Sequence, residues 1–235
     1  MKLRRINNIV IDEALQNLLY VFKDRAEAGK KLAEACKHIL NKVDIVFAIP
    51  RGGVPVGIEV AKAFKSNFDL LICRKLLIPW NREAGFGAVD PDGNYFVDEQ
   101  FAALIGLTDK DIKVSIEEQL QEIKHRNKVL RRNKPYPLLQ GKTVIITDDG
   151  IAAGYTMRAA IKFVKSRNAE KIIIATPTGH IKSIENLSRQ VNLLICLNPR
   201  SGPWFAVADA YKSWRDLTDQ DVIKLIKSYH GEQNE

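Results

Sequence analysis

Residues 144–157 read VIITDDGIAAGYTM. Four residues of high strand propensity run into two adjacent carboxylates, and a short loop with glycines then leads into a helical pattern. In an open α/β sheet, this order presents a site at the carboxyl end of a strand. The loop N–H groups and the helix start suit a phosphate, and the carboxylates suit sugar hydroxyls or a hydrated Mg²⁺. The stretch therefore predicts an α/β fold with places for a phosphate, a diol and a metal.

The rest of the chain repeats an alternation of buried strands and helices. Short apolar runs predict strands over 43–49, 69–73, 171–176 and 191–197. Helical spacing predicts helices over 23–41, 54–64, 111–132, 181–190 and 219–229. Continuous apolar strands between helices favour a doubly wound parallel sheet. Residues 76–108 look irregular, although Pro-Asp-Gly-Asn at 91–94 is a turn signal that predicts a hairpin.

A second loop, AIPRGGVPVG at 48–57, also follows a predicted strand and opens a helix. Gly52 and Gly53 carry no side chains, so backbone amides there can approach an anion closely, and Arg51 can bond the anion bidentately. A plain tight turn explains this loop equally well on its own. Arg74 and Lys75 end the next predicted strand, where two cations would face the same crevice. A solvated strand end is the alternative interpretation.

Composition narrows the function classes. The 235 residues carry a formal net charge of +8, which fits a nucleic-acid partner, a polyanionic small ligand or simply a solvated basic surface. The three cysteines lie far apart in apolar stretches, which is typical of reduced thiols in a cytoplasm, and no Cys/His cluster indicates zinc. The apolar runs are too short to span a bilayer, and the basic N-terminus lacks the apolar segment of a secretory signal. We therefore expect a cytoplasmic protein without membrane partners.

These motifs together resemble the type I phosphoribosyltransferases, which use phosphoribosyl pyrophosphate (PRPP). Residues 22–25 (FKDR), 49–55 and 87–89 are similar to one bacterial and archaeal branch whose acceptor is unassigned. The resemblance implies one domain over 1–235, with a core of about 40–200 and a flexible lid of about 76–100. The chain ends, about 1–22 and 198–235, would form a small hood over the base. The resemblance also implies a homodimer that acts in nucleotide salvage.

The resemblance assigns roles to individual residues. Asp148 and Asp149 would hold the ribose hydroxyls. The 5′-phosphate would lie on Gly150, Ala152, Ala153, Gly154, Tyr155 and Thr156. The pyrophosphate loop would contain Gly52 and Gly53, and it often contains a non-proline cis peptide in the family. The catalytic cations would be Arg51, Arg74 and Lys75. Two positions depart from many members, which place Thr at Ala153 and a small residue at Tyr155.

The implied reaction transfers the 5-phosphoribosyl group from PRPP to a nitrogenous base or similar amine, with Mg²⁺ as cofactor and pyrophosphate as product. The acceptor stays open. Ala152 stands where members that act on 6-oxopurines often carry Asp, which weakens that assignment. Trp204 and Phe205 would either stack on the base or pack in the hood. Asp209 and Arg215 resemble a pair that binds metal and pyrophosphate in hypoxanthine–guanine relatives. Asp209 would then be a candidate metal ligand; otherwise Mg²⁺ would bind through PRPP.

A regulator of the same fold, which binds PRPP as a signal and nucleic acid through its basic surface, is the alternative. Such regulators can lose the lid or the pyrophosphate arginine. This chain keeps Arg51, Arg74, Lys75 and a long lid segment, which favours the enzyme, so we do not expect a nucleic-acid partner. A dinucleotide-binding enzyme has no support, because no G-x-G-x-x-G follows the first strand.

Overall fold

A computed structural model of the chain describes residues 1–232. Its strands are β1 Leu3–Ile6, β2 Ile9–Asp12, β3 Ile45–Ala48, β4 Asn67–Leu70, β5 Arg74–Ile78, β6 Asn81–Val89, β7 Tyr95–Val97, β8 Thr143–Thr147, β9 Lys171–His180 and β10 Leu193–Arg200. Its helices are α1 Arg25–Ile39, α2 Gly53–Phe64, α3 Glu99–Leu104, α4 Asp109–Arg131, α5 Tyr155–Ser166, α6 Ile181–Ser188 and α7 Asp219–Glu232. A 3₁₀ turn spans Val207–Ala210.

The main sheet has the order β1-β2-β10-β9-β8-β3-β4, and it is parallel except for β1. Strand β3 alternates its side chains between two cores. Val46 and Ala48 pack in the core that contains residues of α1 and α2, whereas Ile45 and Phe47 pack in the core that contains residues of α5 and α6. Helices therefore cover both faces, and the predicted doubly wound α/β fold is confirmed.

The strand order reverses beside β3. From β3 the chain passes through α2 to β4 on one side, and it later returns through β8 on the other side. Such a reversal leaves a crevice outside the carboxyl ends of the two central strands, where ligands bind in open α/β sheets. The loops after β3 and β8 are the two loops that the sequence singles out. The topology therefore brings both candidate loops to one crevice.

The region 76–108 is more regular than predicted. Strands β5, β6 and β7 form a second, antiparallel sheet, and α3 follows it. The predicted hairpin is present, since Val89 pairs with Tyr95 and Gly87 with Val97. The β5–β6 hairpin was missed because its register shifts on both sides of Leu77, which breaks the period-two alternation that identifies a strand.

The N-terminus differs from the predicted hood. Strands β1 and β2 extend the main sheet, with Ile9 opposite Leu194 and Ile11 opposite Cys196, because Val10 and Ile11 are buried apolar residues that belong to the core. The segment after β2 meets the residues that follow β10. The Phe22 N–H donates to the carbonyl of Ala210 at 3.0 Å, and further bonds join 15–20 to 198–209.

The three cysteines, Cys36, Cys73 and Cys196, are buried free thiols, as predicted. Across residues 1–232, every helix is either too short or too polar to cross a membrane.

Candidate functional site

The loops after β3 and β8 touch each other in the crevice. A Cβ atom on Gly52 would overlap Oδ2 of Asp149, so only glycine permits this approach. The peptide bond between Pro50 and Arg51 is cis, as the resemblance implied. The glycines of the first loop thus have a second role besides exposing amides: they let the two loops pack together.

A cavity of about 420 Å³ lies over the second loop. Its lining includes Asp148, residues 150–157, Lys75, residues 83–85 and Val207. Gly154 adopts a left-handed φ of +81° and caps α5, whose first-turn N–H groups have no intrahelical acceptor. These amides and the positive helix end form a place for an anion. The predicted phosphate-loop residues therefore share one cavity with Lys75 and with two acidic residues, Glu83 and Asp148.

The loop after β8 is anchored to the end of β9. Ile151 exchanges backbone hydrogen bonds with the end of β9: its N–H donates to Thr178 at 3.1 Å and its carbonyl accepts from the His180 N–H at 2.8 Å. The backbone at Gly150 and Gly154 in this loop also packs tightly against neighbouring side chains. A loop fixed in this way holds its amides in place before a ligand arrives, which lowers the entropic cost of binding.

The two carboxylates of the acidic pair have different surroundings. Asp148 is part of the cavity lining, whereas Asp149 is not. Oδ1 of Asp148 accepts from the Asp149 N–H at 2.9 Å. Burial raises the pKa of Asp148 well above its usual range, and the neighbouring charge of Asp149 raises it further. Burial also raises the pKa of Asp149, although Arg25 opposes that shift.

Arg25 is the site residue to which sequence reasoning assigned no role of its own. Its Nε donates to Oδ2 of Asp149 at 2.7 Å, and Nη1 donates to the carbonyl of Arg215 at 2.8 Å. Its guanidinium lies 3.7 Å from the ring centroid of Trp214. The pair is 124 positions apart in sequence, so pattern alone does not reveal it. One local signal exists: a cation in the first position of a helix opposes the helix dipole and needs another partner.

Arg74 and Lys75 occupy opposite faces of a strand. The preceding strand ends at Leu70, so these residues begin β5 in the second sheet instead of ending a core strand. Lys75 lines the cavity, and its Nζ donates to the carbonyl of Glu83 at 3.1 Å. Arg74 Nε donates to Oε1 of Gln119 at 3.1 Å. Burial, with a smaller effect of the Arg126 charge, lowers the pKa of Arg74 to about 10.

Arg51 lies beside the start of α7. Its Nη1 is 3.8 Å from Oδ1 of Asp219, and that oxygen is buried without a hydrogen bond. The Arg51 side chain is about one-third exposed. Arg51 therefore has a protein carboxylate near it and retains free hydrogen-bonding surface for an anion.

Tyr155, which departs from the family pattern, links the phosphate loop to the second sheet. Its hydroxyl donates to Oδ2 of Asp98 at 3.0 Å, and its ring packs against Phe96. Burial and this bond to Asp98 raise the pKa of Tyr155 to about 12. The hydroxyl is thus engaged by Asp98, and the ring holds β7 against the start of α5.

The remaining predicted residues lie outside the cavity lining. Trp204 is 92% exposed, so its alternative place in the hood core is wrong, while base stacking stays a prediction. Phe205 is half-buried, and the Arg200 guanidinium lies 4.4 Å from its ring centroid. Asp209 has a carboxylate oxygen 3.9 Å from Nη1 of Arg200. Arg215, which relatives of the family pair with such an acid, is bound to Asp221 at 2.9 Å instead.

Comparisons with known proteins agree with this geometry. The sequence profile of the phosphoribosyl transferase domain matches residues 88–210, slightly more than half of the chain. Two Mycobacterium tuberculosis proteins named as candidate phosphoribosyl transferases, MT0597 and Rv0571c, are each 31% identical over 210 residues. That alignment covers 89% of this chain and 47% of each relative, so the chain spans about half their length.

One solved structure is similar over nearly its whole length. The crystal structure of the protein TT1426 from Thermus thermophilus superposes with a TM-score of 0.71 at 28% sequence identity. The superposition covers 88% of this chain and 98% of that protein. The similarity therefore extends well beyond the two loop motifs.

Proposed function

Because the chain belongs to the phosphoribosyl transferase domain family, we propose that it is a Mg²⁺-dependent enzyme that transfers the 5-phosphoribosyl group of PRPP to a nitrogenous base and releases pyrophosphate. One observation carries the proposal. The cavity at the strand-order reversal joins the predicted phosphate loop, the Asp148 carboxylate and Lys75, and the Arg51-Gly52-Gly53 loop touches the same acidic pair.

The parts of PRPP match the parts of the crevice. The 5′-phosphate would lie on the amides of 150–156 at the start of α5. The ribose hydroxyls would donate to the acidic pair, with Asp148 in the cavity lining. The pyrophosphate would lie between Lys75 and the Arg51 loop, where cationic groups and exposed amides are available.

The reaction forms a bond between C1 of the ribose and a nitrogen of the base, while the bond from C1 to the pyrophosphate oxygen breaks. Both electrons of the broken bond leave with pyrophosphate, and the base loses a proton to solvent or a nearby acceptor. Charge accumulates on the leaving group, so Arg51, Arg74 and Lys75 would lower the barrier by stabilising it. The second sheet, β5–β7, would exclude water and so limit hydrolysis of PRPP.

The residues present suit a metal that arrives with its ligand. Within residues 1–232, no group of three or more His, Cys, Asp or Glu side chains is arranged to hold a metal. Mg²⁺ commonly binds one or two carboxylates together with substrate phosphates, and Asp148 offers such a carboxylate in the cavity. When bound, Mg²⁺ would neutralise charge on the diphosphate. Asp209 remains a second candidate ligand, at the turn that also carries Val207 of the lining.

We further propose that the acceptor is a nucleobase or a related amine, that the enzyme acts in cytoplasmic nucleotide salvage, and that it works as a homodimer. The highly exposed ring of Trp204 is available for stacking, which supports a role in binding the base. Ala152, without a side-chain acid, supports acceptors other than 6-oxopurines.

A screen of nucleobases with PRPP and Mg²⁺, with pyrophosphate release as the readout, tests the proposal. We expect release with at least one base and none when PRPP or Mg²⁺ is omitted. Calorimetric titration with PRPP alone measures donor binding separately from the choice of acceptor. A protein that binds PRPP, releases no pyrophosphate with any base and binds RNA or DNA in a salt-sensitive manner would be the regulator instead.

A further inference from the structure

Arg25 makes several specific contacts, unlike a surface cation that only neutralises a nearby charge. Its side chain is 9% exposed, and the Asp149 side chain is 13% exposed. The guanidinium donates to Asp149 through Nε and to the carbonyl of Arg215 through Nη1, and its face covers the Trp214 ring. A buried arginine with two donors and its ring-facing side engaged has one orientation, because moving it would break several contacts together.

Asp149 is held on three sides by this arrangement. Oδ2 accepts from Arg25, and the Cα of Gly52 lies against the same carboxylate. The Asp149 carbonyl accepts from the Tyr211 hydroxyl. Its backbone N–H, in turn, donates to the Asp148 carboxylate at 2.9 Å. A change at Arg25 therefore reaches Asp148, the acid in the cavity lining, through Asp149.

Two adjacent, largely buried carboxylates repel each other, and a nearby cation offsets that repulsion. The Arg25 guanidinium lies in a fixed place beside Asp149, because Asp149, the carbonyl of Arg215 and the Trp214 ring all contact it. Acceptors that are held in place before a ligand arrives lower the entropic cost of binding it. A fixed cation beneath the pair thus holds the carboxylates in the orientation that accepts a diol.

We propose that Arg25 is a positioning residue of the PRPP site, which acts through Asp149 to hold the acidic pair in the orientation that the ribose hydroxyls need. The role rests on the proposed function. Arg25 also ties the start of α1 and residues 211–215 to the acidic pair, so that segments from both chain ends support one functional loop.

The test is calorimetric binding of PRPP with Mg²⁺, which needs no knowledge of the acceptor. Arg25→Gln should weaken PRPP binding about 10- to 100-fold, because it removes a charged hydrogen bond to a buried acid. Arg25→Lys keeps the charge and should lose less. Lys31→Gln is the matched control on the same helix: its surface pair with Glu27 should leave PRPP affinity unchanged.

A double-mutant cycle separates positioning from general loss of structure. In an Asp149→Asn background, Arg25→Gln should weaken PRPP binding less than about threefold, because its partner charge is already absent. Arg25→Lys, which restores a cation at this place, should recover part of the lost affinity only where Asp149 is present.

Equal effects of Arg25→Gln in both backgrounds would overturn the positioning role while the proposed function stands. A wild-type protein that binds no PRPP would overturn the proposed function itself. If Arg25→Gln does not fold, Arg25→Lys in the two backgrounds provides the same cycle, and additive losses there would overturn the role.

Discussion

The crevice has two sides that differ in how their charged groups are engaged. The open side consists of Asp148, Lys75 and the loop 150–156 around the cavity. The paired side consists of Arg25, Asp149, Arg51 and Asp219, whose charged groups already face one another. On the open side the charged groups of Asp148 and Lys75 bond backbone atoms, whereas on the paired side opposite charges of side chains already meet. Substitutions on the two sides should therefore differ in how they change turnover and stability.

Lys75→Met tests the open side and should have the largest effect. The lysine lines the cavity, and removing a cation aimed at a developing charge typically costs about 10²- to 10³-fold in turnover. Steady-state kinetics of pyrophosphate release measures the loss. Arg82→Met is the control. Arg82 lies on β6 and pairs at the surface with Glu118 of α4, so its substitution should change the rate little. Equal losses would mean that the hairpin, and not the cavity lysine, limits the reaction.

Arg51→Ala tests the paired side. We expect turnover to fall about 100-fold, since the arginine would stabilise the leaving pyrophosphate. The melting temperature should shift by less than about 4 °C, because the side chain is partly exposed and its ion pair is long at 3.8 Å. A thermal melt, measured together with the kinetics, distinguishes a catalytic role of Arg51 from a structural one. A loss of stability as large as the loss of activity would make Arg51 structural.

The two carboxylates should respond to amidation with opposite signs in stability. The raised pKa of Asp148 means that the folded state binds its proton more tightly than the unfolded state does. Its ionisation therefore lowers stability as pH rises from the ordinary pKa to the raised one, and stability stays reduced above that window. Asp148→Asn removes this cost and should raise the melting temperature at pH 7, while it weakens PRPP binding.

Asp149→Asn should lower the melting temperature at pH 7. Burial raises the pKa of Asp149 as well, which favours the amide, but the variant leaves the buried Arg25 without its counter-charge, and we expect that loss of about 1–3 kcal/mol to be the larger effect. It should also weaken PRPP binding. Chemical denaturation of the two variants side by side measures the contrast. If both variants are stabilised, the Arg25–Asp149 pair contributes nothing net, and the two sides of the crevice are electrostatically alike.

Asp219→Asn should have the smallest effect and should increase affinity. The Asp219 carboxylate lies near Arg51 and would compete with pyrophosphate for it. Long, partly exposed ion pairs contribute up to about 1 kcal/mol, so pyrophosphate should bind up to about fivefold tighter in the variant. Product inhibition by pyrophosphate measures this. Weaker binding would show that Asp219 orients Arg51 for the ligand.

Much of the fold follows from local pattern. Strands β3 and β8 and helices α1, α2, α4 and α5 lie within a few residues of their predicted positions, because each carries a strong period and clear end signals. Strands β1 and β2 were missed. Their four-residue runs are too short to identify, and only pairing with β10 gives them a place.

The candidate site divides in the same way. Loops such as 50–53 and 148–156 can be identified from the sequence, because glycines and acids at set spacings have few other uses. The direction of a side chain cannot be identified in this way. Of the adjacent residues Arg74 and Lys75, Lys75 lines the cavity and Arg74 does not, since neighbours on a strand face opposite ways. The exposure of Trp204, and the binding of Arg215 to Asp221 instead of Asp209, also depend on the path of a loop that has no regular sequence pattern.

The sequence by itself determined the doubly wound α/β fold, the two loops at one crevice and the family, because strand periodicity and short-range loop chemistry are local properties. Only the tertiary structure decided which acid of the pair lines the cavity and which binds Arg25. That choice depends on α1, residues 211–215 and Gly52 meeting around Asp149, and contacts between segments so far apart in the chain leave no local pattern to read.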